Sequence, residues 1–526
     1  MNCIKSIYIE GFKKFENLCV EFNRGMNIIV GENEAGKSTI LEAIKIVLNQ
    51  QYKNSDKSIL RDLFNVKKVK EFEANPSTQT LPSILIEVEL DIDPRSKNAK
   101  CFYGEMHSGK ILQGEKYGVK FECRYDGGVD PDVERIIADG DVPYEYYSLT
   151  WTTFANQPYQ SIRKPFNFLS IDTSSQIAAS SFNYYNKSLF ISKYDEYARM
   201  RAKNKFRSGL EDAFDALGLP NIDCNRVFRV DIKKVILENV ISVFEDSISL
   251  ENRGRGMENL IKTQIALDRN NHVDVISIEE PESHLSISTL NKMLDGIADK
   301  RSESQIILTT HSSLIASRLN LNNVLWITKT GVRSLSKIEK DDAEFFVKAD
   351  NNSLLHLLLS EKAFLVEGNT EFLLLPKLYR KVTGNSLEQD RISVISCNGI
   401  AYKRYLSLIE ETNKKVAIIT DNDHNQEKIN EAMKFNSKHV NQQIFTGKTI
   451  EDWTWETCFY NLNKEVLTSL VAPGKGAKYL YNGKSYGPVL GKMLNNKTET
   501  AYAMLKSDAE FNIPEYVREA FEWLRG

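Results

Sequence analysis

Two kinds of hydrophobic pattern recur along the chain, and they predict two kinds of strand. Residues 3–10 alternate apolar with polar side chains, and Ser83 to Leu90 do so cleanly. A period of two predicts strands with one buried face. Residues 18–22, Val119 to Tyr125 and Tyr144 to Thr150 read as further strands, and Gly11-Phe12-Lys13-Lys14-Phe15 reads as a turn. Residues 273–278 and 305–309 are short and nearly continuously apolar, which suits the buried centre of a parallel sheet. Ala363 to Val366 and Val416 to Thr420 are strands of a second α/β unit, separated by helical stretches. From about 174 to 246 the pattern turns helical and charge-rich, with Tyr194 to Lys205 and an amphipathic Leu210 to Leu219. This segment reads as a helical insertion or as a helical layer of the surrounding domain. Charge clusters and Pro76-Ser77-Thr78 predict a surface loop over 67–82, and the polar run Ala349 to Ser353 predicts a domain boundary.

The apolar run Met26 to Val30 leads into Gly31-Glu-Asn-Glu-Ala-Gly-Lys-Ser38, the G-x-x-x-x-G-K-[ST] spacing of a phosphate loop. Asn33, Gly36, Lys37, Ser38 and Thr39 are its candidate nucleotide-binding residues. The glycines let backbone N–H groups close around a polyphosphate, Lys37 reaches its outer phosphates, and the Ser38 hydroxyl can ligate Mg²⁺. The helix that starts near Ser38 aims its positive dipole end at the same place. A nucleoside triphosphate is therefore expected, with ATP as cofactor.

Composition narrows the setting. A chain of 526 residues exceeds one core, so roughly two to four domains are expected. The net charge of −3 confines any DNA-binding surface to a local patch. The seven cysteines show no CxxC spacing, which indicates neither zinc nor a disulfide framework and agrees with a reducing cytosol. Lys5, Glu10, Lys13 and Lys14 interrupt any apolar signal segment, and no uncharged apolar stretch is long enough to span a bilayer.

The strand 273–278 runs into Glu279-Glu280-Pro281-Glu282-Ser283-His284-Leu285. Glu279 is the candidate magnesium-side acid and Glu280 the base that polarises water. The strand 305–309 ends in Thr310-His311, which puts His311 within reach of a γ-phosphate. Upstream, Arg253, Gly254, Arg255 and Gly256 precede a helix and offer a second anion-binding helix start. In the second unit Glu367 and Glu371 follow one strand, and Asp421 and Asp423 follow another. Alternate residues at a strand end face the same way, so both aspartates can meet one cation. Four converging carboxylates are too costly without divalent metal, and hard oxygen donors favour Mg²⁺ or Mn²⁺.

In order, these elements resemble the ABC-type ATPases of the SMC and recombination-repair kind. The resemblance makes 249–258 a divergent signature motif lacking Leu-Ser-Gly-Gly, Glu279-Glu280 the Walker B pair with Glu where Asp is usual, and His311 the switch histidine. Gln157 and Gln160 compete for the expected glutamine. The second carboxylate set resembles a Toprim domain. Thr449-Ile450-Glu451 resembles the Thr-Leu-Glu element of OLD (overcoming lysogenisation defect) nucleases, which implies Glu451 as a second-metal ligand. The run 495–501 resembles that family's lysine element, which implies Lys497 as the stabiliser of charge on a scissile phosphate. Lys475, Lys478 and Lys484 compete for that role in the stretch 473–487, whose lysines and Tyr479, Tyr481 and Tyr486 suit a nucleic-acid strand or a solvated loop equally.

The whole is similar to OLD-family endonucleases. That resemblance implies an α/β chain with an ABC/SMC-like ATPase head in two parts, 1–173 and 247–350. A helical insertion over 174–246 and a Toprim nuclease over 351–526 complete it. It also implies metal-dependent DNA cleavage gated by ATP, in bacterial or phage-encoded defence, and homodimers or larger oligomers formed through heads and insertion. A partner protein, RNA or DNA could be encoded alongside. The rival readings are a repair ATPase whose Toprim domain binds DNA without cutting, and an ATP-switched scaffold for an effector.

Overall fold

The computed structural model describes the chain except for residues 1, 33, 97, 107–113, 128–130, 160–166, 173–185, 188, 192, 221, 223–225, 250–259, 262, 265–272, 284, 301–303, 329–330, 336–355, 358–359, 398–401, 413 and 472–478. It divides into two compact units, Met1–Leu319 with Asn323–Ser334, and Asn320–Asn322 with Leu335–Gly526. The polar run 349–353 lies outside the described residues.

Besides a two-stranded pairing of Phe244–Glu245 with Ile248–Ser249, the described residues of the first unit form two six-stranded sheets. One is antiparallel, in the order Phe15–Glu21, Cys3–Phe12, Ile84–Asp91, Glu115–Tyr125, with Tyr103–Glu105 and Tyr147–Thr153 also pairing to Glu115–Tyr125. The other runs Gly331–Ser334, Val324–Thr328, Met26–Val30, Gln305–Thr310, Val275–Glu279, Phe168–Asp172, and every pairing but that of Gly331–Ser334 is parallel. Its central strands are the continuous apolar runs, as their burial on both faces requires.

Helix Lys37–Asn49 packs against strands of both sheets. It buries Ile40, Leu41, Ala43, Ile44, Ile46, Val47 and Leu48, an apolar surface too wide for a one-sided helix. Its last carbonyls are not left orphaned. Trp151 Nε1 donates to Ile46 O at 2.8 Å, and the Tyr159 hydroxyl donates to Leu48 O at 3.2 Å. Gln305 ties the sheets together. Its Oε1 accepts from the Ile4 amide at 2.8 Å, and its Nε2 donates to Ile4 O at 2.7 Å and to Asn23 O at 2.9 Å.

The structure corrects two expectations. Within the predicted loop 67–82 lies helix Val66–Ala74. Asn65 caps it by accepting from the amides of Lys67 and Lys68, and Phe72 is buried against Val133 and Ile137. The charge clusters are that helix's solvated face. The strand expected over 144–150 is Tyr147–Thr153, because Tyr144–Tyr146 form a short 3₁₀ turn first.

In the span 174–246 the two expected helical stretches, 194–205 and 210–219, fall largely in one α-helix, Glu196–Asp215, and Ile232–Lys234 and Leu237–Asn239 are short 3₁₀ helices. Asp195 caps the α-helix by accepting from the Ala198 amide at 2.6 Å, and none of its residues is buried.

The second unit is a four-stranded parallel sheet in the order Ile392–Ser396, Lys362–Val366, Lys415–Ile419, Gln442–Phe445. Helix Asn369–Thr383 follows Lys362–Val366, and helix Glu515–Arg525 buries Tyr516, Val517, Ala520, Phe521 and Leu524 in the same core. At the Gln442–Phe445 edge, the Asn436 side chain donates to Ile444 O at 2.8 Å and accepts from the Ile444 amide at 2.7 Å. That blunts an edge open to further strand pairing. Among the described residues no helix is long and apolar enough to cross a membrane.

Gln305 seats the strand that carries His311. Gln305→Ala strips the buried Ile4 amide and carbonyl of these partners and should cost about 2–5 kcal/mol. The check is the denaturant midpoint of the first unit, and an unchanged midpoint would refute this role for Gln305.

Candidate functional site

Parallel pairing brings the first unit's chemistry to one edge. Val30 pairs with Thr310, and Thr309 with Glu279, so the phosphate loop, His311 and Glu280 all leave the sheet side by side. Gly36 takes φ 105° against the Phe15 ring, where an added Cβ would lie 2.3 Å from Cζ. Only glycine serves there, for both reasons. A cavity of about 470 Å³ opens beyond it, lined by Lys13, Lys14, Glu34, Gly36, Lys37, Ser38, Thr39, Glu280 and His311.

Lys37 is buried, and its Nζ donates to Gly31 O and Glu32 O at 3.0 Å each, with His311 Nδ1 at 3.5 Å. Burial lowers its pKa, and the Glu280 and Glu282 carboxylates oppose that shift. Glu280 sits in the left-handed region at φ 44°, and its Oε1 lies 3.2 Å from His311 Nε2. Such strain on a non-glycine residue is found mainly at functional sites. Glu279 is buried at its strand end, 3.7 Å from Lys45 Nζ. Of the sequence candidates, Gly36, Lys37, Ser38, Thr39, Glu280 and His311 therefore share one cavity. Asn33, Gln160, Arg253, Gly254 and Gly256 lie outside the described residues.

Three contributors here were not singled out from sequence. Lys13 and Lys14 add positive charge to the cavity. Glu282 holds the histidine loop, because its Oε1 accepts from the Thr310 hydroxyl at 2.7 Å and from the His311 amide at 2.8 Å. No local motif marks these roles, since each depends on a partner distant in sequence.

The second centre forms the same way, with Val366 paired to Ile419. Glu367 accepts from the Thr420 hydroxyl. Glu371 stands in the first turn of helix Asn369–Thr383 and accepts from the Gly368 amide at 3.2 Å. Asp421 accepts from the Trp455 amide at 2.9 Å, at the start of helix Trp455–Leu462. The buried Glu456 accepts from the Thr370 hydroxyl at 3.0 Å and meets Lys497 Nζ at 3.0 Å. Asp423 is turned outward, ion-paired with Lys428.

Between the two aspartates, fully buried Asn422 staples the loop. Its Nδ2 donates to Gly447 O, Thr449 O and Asp452 O at 3.2, 2.9 and 3.1 Å. Gly447 leaves no room for a side chain, since a Cβ would lie 2.2 Å from Asp452 O.

The electrostatics follow from burial. Desolvation, then the Glu456 carboxylate, pushes Glu371 up to about 7. Desolvation, with Glu371, Glu456 and Glu367 nearby, holds Asp421 well above the usual carboxylate range. Burial also raises Glu367. Burial favours neutral Lys497, but Glu456 and Asp421 outweigh it and raise its pKa.

Glu367, Glu371, Asp421 and Lys497 thus gather around one centre. Glu451 lies exposed on the preceding turn, and Glu456 occupies the interior instead. Thr454-Trp455-Glu456 repeats the Thr-x-Glu spacing five residues on, which is the signal that could have found it. Lys475 and Lys478 lie outside the described residues, and Lys484 is exposed on a hairpin. Among the described residues no group of three His, Cys, Asp or Glu side chains is already close enough to hold a metal ion. The donor set is hard oxygen with raised proton affinity, which is the chemistry that fits a divalent cation.

Comparison with known proteins gives two family matches. Residues 358–423 match "Overcoming lysogenization defect protein-like, TOPRIM domain", and residues 6–266 match an AAA domain. The Old nuclease of Escherichia phage P2 is 29% identical over 136 residues, 24% of this chain and 23% of that protein. The chain thus spans less than a quarter of that relative's length. Among solved structures, the C-terminal region of the Xanthomonas campestris pv. campestris OLD protein aligns with 32% of this chain and 92% of its own, at 19% identity and TM-score 0.25. The SMC head domain from Thermotoga maritima aligns with 63% of this chain and 98% of its own, at 15% identity and TM-score 0.30. The chain is an α/β protein in which a match to an AAA domain is followed by a match to an OLD-like Toprim domain.

The Glu371 shift makes a stability prediction. In the folded protein Glu371 holds its proton up to about pH 7, whereas an unfolded glutamate releases it near 4.5. The folded state therefore binds more protons between those values, and its stability falls as pH rises through that window. Without divalent cation, Glu371→Gln should stabilise the protein at pH 8, by at most roughly 3 kcal/mol, and have little effect at pH 4. Melting curves at the two pH values test this, and equal gains at both would contradict it.

Proposed function

We propose that this chain is an ATP-hydrolysing, divalent-cation-dependent DNA endonuclease akin to the OLD nucleases. The observation that carries the reading is the cluster of buried Glu371 and Glu456 and half-buried Asp421 with Lys497, set at the carboxyl edge of a parallel sheet within or beside the OLD-like Toprim match. Such a cluster is electrostatically costly in isolation and suits a phosphodiester with its cations.

Glu371, Asp421 and Glu456 would hold Mg²⁺ or Mn²⁺, with Glu367 beside them. When bound, a divalent cation polarises the phosphate and lowers the proton affinity of water. Lys497, released from Glu456, would meet the negative charge that grows on the scissile phosphate. Asp423, outside the buried group, would complete the set from its exposed turn.

In the ATPase unit the cavity's lysines and helix start suit a triphosphate. Lys37 would exchange its carbonyl partners for phosphate oxygens. Glu280 would polarise the attacking water, and His311, against Glu280, would sense the γ-phosphate. Ser38 and Glu279 would serve the nucleotide's magnesium. ATP-dependent contacts between two such heads would gate cleavage, and the setting would be anti-phage defence. Both statements rest on the likeness to the OLD nucleases.

Two substitutions separate the activities. Glu280→Gln should lower ATP turnover roughly 100-fold or more while nucleotide still binds. Asp421→Ala should abolish cleavage of supercoiled and linear DNA in Mg²⁺ or Mn²⁺ and spare ATP hydrolysis. Cleavage that survives Asp421→Ala would overturn the nuclease reading in favour of a repair ATPase or scaffold.

Glu456 and Glu451 can be told apart directly. Glu456→Gln should remove metal-dependent cleavage, and Glu451→Gln should leave it within a few fold. Cation titrations followed by melting temperature supply the second readout, and the reverse ranking would return the ligand role to Glu451.

A further inference from the structure

An aromatic stack borders the carboxylate centre, and the chemistry above does not use it. His424 directly follows Asp423, and its ring lies on Trp453 with centroids 4.5 Å apart and planes 22° apart. Trp453 in turn meets Tyr481 at 6.1 Å and Tyr486 at 6.2 Å. The two tyrosines sit on opposite strands of the hairpin Tyr479–Tyr481 and Lys484–Tyr486. Trp453 is buried, the tyrosines are half-buried, and His424 is exposed. The stack adjoins the aspartate loop. The Trp453 carbonyl accepts from the Asp423 amide at 3.1 Å, and Tyr481 is within electrostatic reach of Lys497.

His424 is held in place. Its Nδ1 donates to Ile450 O at 2.9 Å, and its amide donates to Asn422 Oδ1 at 3.1 Å. Asp423 and His424 both take left-handed backbone angles, φ 52° and 60°. Asp and His are among the residues that tolerate this region, and the bonds to Asn422 and Ile450 fix the turn that presents the ring. The outcome is an imidazole with one face on Trp453 and the other turned outward, beside the aspartate loop.

We propose that this stack is a nucleobase platform. An unpaired base lies on the outer face of His424 and sets its neighbouring phosphodiester against Glu371, Asp421 and Lys497. The inference rests on the nuclease reading and deepens it by naming the substrate class as DNA with unpaired bases: a single strand, a frayed end or a gap. A base inside a duplex has both faces covered by its neighbours and cannot use the platform. Stacking accepts any base, so the preference is for strandedness and not for sequence.

The test is fluorescence anisotropy of a labelled single-stranded oligonucleotide with the full-length protein and no added divalent cation, beside a duplex of the same sequence. The proteins are wild type, His424→Asn and His424→Phe. Asparagine tolerates the left-handed region, so it removes the ring without adding strain. Wild type should prefer the single strand. His424→Asn should weaken that binding roughly 5- to 100-fold, His424→Phe should stay within a few fold of wild type, and duplex binding should not change. Equal single-strand affinity of wild type and His424→Asn, or no single-strand preference in wild type, overturns the platform. Cleavage of the same oligonucleotides in Mg²⁺ or Mn²⁺ separates the two readings. Cutting by wild type with no effect of His424→Asn on binding sinks the platform alone. The expected binding losses without any cutting by wild type sink the nuclease reading and keep the platform.

Discussion

Parallel strand pairing in a fixed register is the constraint on which both centres depend. Each reactive loop leaves its sheet at the carboxyl end of a buried strand. Because Val30 pairs with Thr310 and Thr309 with Glu279, the residues just beyond those ends must become neighbours. His311 and Glu280, separated widely in sequence, thereby reach 3.2 Å. Pairing of Val366 with Ile419 does the same for Glu367 and the Thr420 hydroxyl. A slip of one residue would reverse every side chain on the strand and scatter both groups. Gln305, the two-sided burial of helix Lys37–Asn49 and the Asn422 staple all serve to hold that register and the loops that grow from it.

The two centres carry opposite electrostatic problems. The first gathers lysines, and its key one, Lys37, is desolvated and satisfied by backbone carbonyls. A cavity walled by Lys13, Lys14 and Lys37 is prepared for an anion. The second gathers carboxylates where water is scarce, and Lys497 alone does not balance them, so Glu371 and Asp421 hold their protons to unusually high pH. That residual imbalance is the physical ground for expecting cations there. Burial shifts each of these groups toward its neutral form, a cost that a bound counter-charge would offset.

Much of this was legible because it is written in contiguous residues. The phosphate loop needs only a strand, eight residues and a helix start, all adjacent in the chain. The strands before Glu279, His311, Glu367 and Asp421 announce themselves by apolar runs whose ends the structure reproduces within a residue or two. What escaped depends on distant partners. Helix Val66–Ala74 looked like a charged loop because the burial of Phe72 is supplied by Val133 and Ile137. Glu282 drew no assignment from the sequence, since its role lies in bonds to Thr310 and His311.

The chain by itself determined the two α/β units, the order of the reactive loops and most of the residue types at each centre, because periodicity and strand-end position are local properties. Tertiary structure alone decided which of two similarly spaced glutamates enters the carboxylate group. Thr449-Ile450-Glu451 and Thr454-Trp455-Glu456 are equivalent as strings. The start of helix Trp455–Leu462 against Asp421, with Thr370 and Lys497 waiting on other helices, draws Glu456 inward and leaves Glu451 in solvent. The physical reason is that a charged group's role is set by which opposite charges and donors surround it after folding, and those come from segments that no local pattern connects.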